Sequence, residues 1–80
     1  MSNIQKYNNV FVNVFNVNAS ELNENFTFKG VARWDSVAHL TLISELEDAF
    51  DVMFESEHIL HYGSYLNGIE ILKSYGVSFD

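Results

Sequence analysis

The chain has 80 residues, a formal net charge of −7 at pH 7, and neither cysteine nor proline. Without cysteine there can be no disulfide staple, thiolate zinc site or cysteine nucleophile. The acidity argues against nucleic acid and anionic membrane surfaces, which are bound through Lys and Arg, and favours a partner with a basic face.

Apolar residues make up 48%, with seven Phe, four Tyr and one Trp, enough to close one small core over residues 1–80. The opening MSNIQKYNN has no basic stretch followed by an apolar run. No segment approaches the roughly 20 apolar residues of a membrane span. The expectation is a soluble, cytoplasmic, monomeric domain with no membrane partner, its apolar surface used up in closing the core.

In chain order, Ile4, Tyr7, Phe11, Val14 and Phe15 fall at helical spacing and predict a first helix. A Val10–Val12–Val14 alternation makes a strand the rival reading, but the helical pattern is longer. A long polar loop follows to Arg33, with Phe26, Phe28 and Val31 as anchors into the core. Asp35 has the chemistry of an N-cap, and a second helix is expected from Ser36 to Phe50. Residues 51–61 hold at most a short helical turn. Gly63 breaks the chain, Ser64 offers another N-cap, and Tyr65, Ile69, Leu72 and Tyr75 mark a last helix ending at Gly76. The fold expected is all-α: a small four-helix bundle of three main helices and one short one, with a long first loop.

On a wheel of residues 36–50, His39, Leu42, Ile43, Leu46, Ala49 and Phe50 share the core face. Val37, Leu40, Thr41, Ser44, Glu47 and Asp48 face away. Ser36, the apolar pair Val37 and Leu40, and the acids Glu47, Asp48 and Asp51 thus form one outer surface. Two readings are open here. A solvated helix face carries charges and an occasional apolar side chain, and Ser36 can be part of a cap. The same surface also suits a reactive hydroxyl with a docking rim.

The run WDSVAHLTLISELEDAFDV, Trp34 to Val52, resembles the acyl carrier protein signature: Asp-Ser-Leu, an acidic amphipathic helix, and a Glu-rich closure on Phe-Asp. Here the triplet is Asp35-Ser36-Val37 and the closure runs from Glu45 to Asp51. The resemblance implies that Ser36, preceded by Asp35, carries 4′-phosphopantetheine. The group would come from coenzyme A by a phosphopantetheinyl transferase. It implies an acyl carrier rather than an enzyme, serving acyl-transferring or condensing enzymes with basic docking surfaces. Val37, Leu40, Glu47, Asp48 and Asp51 would be the partner contacts. A thiol on the arm would let a cysteine-free chain hold thioesters. Phe26, Phe28, Leu46, Phe50, Phe54, Ile59 and Ile69 would shelter an acyl chain. Val37 stands for the usual Leu, Ala38 and Thr41 for common acids, and Glu55 for a common proline. The form Trp-Asp-Ser-x-x-His-Leu resembles free-standing carriers of dedicated lipid, polyketide or surface-glycan pathways. A peptidyl or aminoacyl carrier, or an unmodified acidic adaptor, are the alternatives.

Other constellations point to no chemistry. His58 and His61 are three apart but lack a third ligand, so no metal site is expected, and both are placed at the surface. Ser36 and His39 diverge by about 60° on the wheel, and no oxyanion loop accompanies them. His39 is read as a half-buried core histidine and Trp34 as a hydrophobic staple.

Overall fold

A computed structural model describes residues 2–79. The described chain is all-α: α1 (Asn3–Phe15), α2 (Ser36–Phe50), α3 (Ser56–His61) and α4 (Tyr65–Ser74), with one 3₁₀ turn at Ala19–Glu21. Among the described residues the extended backbone amounts to an isolated bridge between Thr27 and Ser64.

Three of the four helices, α1, α2 and α4, start where a side chain satisfies first-turn N–H groups, while α3 starts at Glu55 without a side-chain cap. Ser2 caps α1 through a capping box: its Oγ accepts from Gln5 N–H, and its own N–H donates to Gln5 Oε1 at 3.0 Å. Asp35 Oδ1 accepts from Ala38 N–H at 2.9 Å and starts α2. Ser64 Oγ accepts from Asn67 N–H at 2.9 Å and starts α4. α1 stops at Asn16 in the left-handed region, and the Arg33 guanidinium donates to the carbonyls of Phe15 and Asn16, both at 2.9 Å. α4 stops at Ser74, two residues before the expected limit. Gly76, at φ +90°, lets Val77 N–H reach back to the Leu72 carbonyl.

The core is aromatic. Phe11 sits at its centre, with ring centroids of Tyr7, Tyr65 and Phe15 at 4.9, 5.4 and 5.6 Å. Trp34 and Phe26 close around it at 5.9 and 5.6 Å. From α2 come Leu42, Ile43 and Leu46, as the wheel predicts, with His39, Ala49 and Phe50 half-buried beside them. At the base of α4 the Tyr7 hydroxyl donates to the Tyr65 carbonyl at 2.6 Å, so the Tyr62 hydroxyl must donate to Tyr7, at 2.7 Å. Burial pushes both phenols well above the ordinary tyrosine range. Gly68 makes the pair possible, because a Cβ there would overlap both phenol oxygens.

The long loop departs from expectation at one anchor. Phe26 is buried and Val31 half-buried, but Phe28 is exposed. Two backbone bonds clamp this stretch to the entry of α4: Phe28 N–H to the Gly63 carbonyl at 2.8 Å, and Tyr65 N–H to the Phe26 carbonyl at 2.9 Å. The chain turns directly after Thr27, whose carbonyl accepts from Gly30 and Val31 N–H at 3.1 and 2.9 Å, and Phe28 on that turn is left on the rim.

Candidate functional site

Ser36 is the first residue of α2. The cap is made by Asp35, so the Ser36 side chain is not needed for it and stands exposed. The cap bond belongs to Asp35, and Ser36 follows it as the first helical residue. Beside it opens a groove of about 680 Å³, lined by Ser36, His39 and Leu40 of α2, residues 27–29 of the loop, Ile59 and Leu60 of α3, and Tyr62–Gly63. Three segments distant in sequence meet there because the loop is clamped to Gly63 and α3 is tied to α2.

His39 makes the second tie. Trp34 Nε1–H can only donate, and it reaches His39 Nδ1 at 3.1 Å. His39 Nδ1 is therefore the acceptor, and Nε2–H donates to the Ile59 carbonyl at 2.8 Å. Trp34 and His39 occupy the N′ and N4 positions of α2, so the expected staple forms, with a hydrogen bond added to the ring contact. Across α3, Tyr75 Oη accepts from Glu55 N–H at 2.8 Å and meets His58 Nδ1 at 2.6 Å. His58 is half-buried, not a surface residue as expected. His61 is exposed, its Nδ1–H donating to the Glu57 carbonyl at 2.9 Å. Among the described residues no group of three or more His, Asp or Glu side chains could hold a metal ion.

The expected partner residues are only partly brought together. Val37 is 75% and Leu40 64% exposed, next to Ser36, and Leu60 of α3 adds another apolar side chain at 82%. Phe28, Met53 and Leu66 are the other large apolar side chains exposed among the described residues. Glu47 lies on the same face as Ser36 but about three turns, roughly 16 Å, along the axis. Its carboxylate also has a structural partner. Its Oε2 accepts from Phe54 N–H at 2.9 Å and holds the loop between α2 and α3. Asp48 is exposed, and Asp51, at φ 52°, ends the helix.

The residues expected to shelter an acyl chain also divide. Phe28 and Ile59 line the groove. Leu46, Phe26 and Phe54 are buried in the closed core, while Phe50 and Ile69 are half-buried against it. Sequence reasoning missed Leu60, Tyr62, Thr27 and Lys29 as lining, and no periodic pattern marks them. No family model, curated protein or solved structure matches the chain.

Proposed function

We propose that this chain is an acyl carrier, a single domain built as a small four-helix bundle, with 4′-phosphopantetheine attached to Ser36. The observation that carries the reading is the position of Ser36. Its hydroxyl is exposed at the first turn of α2, is spared from capping by Asp35, and opens on an apolar groove. A helix N-terminus favours the phosphate that attachment would place there. The Asp35-Ser36-Val37 triplet and the acidic helix behind it resemble the carrier signature and support the same assignment.

In this reading a phosphopantetheinyl transferase joins Ser36 Oγ to the phosphate of the coenzyme A arm, and the adenosine bisphosphate portion leaves with the bond it breaks. The thiol of the arm then holds acyl groups as thioesters. The chain itself performs no catalysis and presents the cargo to acyl-transferring or condensing enzymes of a dedicated pathway in the cytoplasm. Val37 and Leu40 offer those enzymes an apolar contact beside the attachment point, and Asp48 and Asp51 offer negative charge farther along α2. An unmodified adaptor is the second reading, favoured by the cluster of exposed Val37, Leu40 and Leu60. Incubation with coenzyme A and a transferase separates the two. The carrier gains about 340 Da in intact mass and the Ser36→Ala variant gains nothing. No gain with several transferases leaves the adaptor.

A further inference from the structure

The groove beside Ser36 is open outward and closed inward. Its outer wall consists of Phe28, Leu40 and Leu60, which are apolar and already exposed. Its floor is His39 and Tyr62. His39 is held on both ring nitrogens, by Trp34 and by the Ile59 carbonyl, and the second bond is the seam between α2 and α3. Tyr62 is 1% exposed, donates to Tyr7, and has the rings of Trp34 and Phe54 each 6.2 Å away. A chain entering the core from Ser36 would have to part that seam and displace a ring wedged among others. A packed interior gives no such room without loss elsewhere. The apolar space a group tethered at Ser36 can use is then the groove itself, within the size range of small-molecule sites.

We propose, resting on the carrier reading, that the cargo of this chain is a compact apolar acyl group held on the surface in this groove, and that His39 and Tyr62 set its depth. The tether commits the groove to one occupant, because Ser36 is itself part of the lining. A short acyl group covers the Phe28, Leu40 and Leu60 side chains. A long chain covers them no better and leaves its remainder in water.

The test loads Ser36 from hexanoyl- and dodecanoyl-coenzyme A, confirms each product by intact mass, and compares Tm with the form bearing the free thiol. Hexanoyl loading should raise Tm by about 4 °C, the scale on which a small domain responds to modest added burial. Dodecanoyl loading should add nothing further. Phe28→Ser, which alters an exposed wall and spares the core, should erase the rise. His39→Ala should let the dodecanoyl form exceed the hexanoyl form. If that variant does not fold, the wild-type chain-length comparison and Phe28→Ser still decide. A Tm that keeps climbing to dodecanoyl in the wild type, or a rise that survives Phe28→Ser, overturns the inference while leaving the carrier reading intact. A chain that accepts no group at Ser36 ends both.

Discussion

Substituting Gly68 by Ala should be one of the most damaging single-methyl changes in this chain. In an ordinary helix interior the exchange is favourable by about 1 kcal/mol. Here the added Cβ would overlap the Tyr62 and Tyr7 phenol oxygens, both sealed in the core. Neither ring can swing aside without losing the bonds from Tyr62 to Tyr7 and from Tyr7 to the Tyr65 carbonyl. The two bonds together contribute about 2 kcal/mol net. Overpacking adds about 1–3 kcal/mol. Against the helix-propensity gain, the net loss is about 2–4 kcal/mol. For a domain of this size, 1 kcal/mol corresponds to about 4–8 °C, so Tm should fall by about 10–25 °C. Thermal melts followed by far-ultraviolet circular dichroism measure it. Gly76→Ala is the comparison: a Cβ there meets open space, and only the φ of +90° resists it, at about 1–2 kcal/mol. A Gly68→Ala protein melting within about 3 °C of wild type, or below which Gly76→Ala falls, would refute the packing argument.

Two further outcomes follow from the same structure. Tyr7, Tyr62 and Tyr65 all lose protons less readily when folded, chiefly through burial. The folded state therefore holds protons that the unfolded chain releases above about pH 10. Stability should be level below that point and fall as pH rises beyond it, and Tyr62→Phe should flatten the fall in urea titrations; an unchanged slope contradicts the assignment. Glu47→Lys should lower Tm, because Phe54 N–H loses its acceptor, whereas Asp48→Lys should leave Tm nearly unchanged and slow modification of Ser36 a few-fold. That slowing should fade toward roughly 0.5 M salt, and equal rates for wild type and Asp48→Lys at low salt would show the acids of α2 to be plain solvated charge.

What was legible in the sequence was local. Asp35, Ser36 and the limits of α2 follow from cap chemistry and a helical period, both contained within one stretch of chain. The same holds for Ser64 at the start of α4. α3, with six residues, is too short to show a period of its own. The exposure of Phe28 depends on backbone bonds to Gly63, more than thirty positions away, and no pattern around Phe28 announces them. Glu47 reads as one more acid on a polar face because its tie to Phe54 exists only once the chain turns after α2. Nothing within α4 marks Gly68 as the place where the Tyr7–Tyr62 pair packs, because both tyrosines come from elsewhere in the chain. The floor of the groove beside Ser36, His39 and Tyr62, was invisible for the same reason: these residues become a surface only where α2, α3 and the loop converge.

Whether Ser36 bears a covalent arm is decided by the mass of the chain purified from the cells that make it. The expected mass exceeds the sequence mass by about 340 Da, or by that plus an acyl group. Fragmentation should place the excess on Ser36, and Ser36→Ala should lack it. A chain whose mass equals its sequence in every preparation, or that carries the group at another residue, would contradict the account.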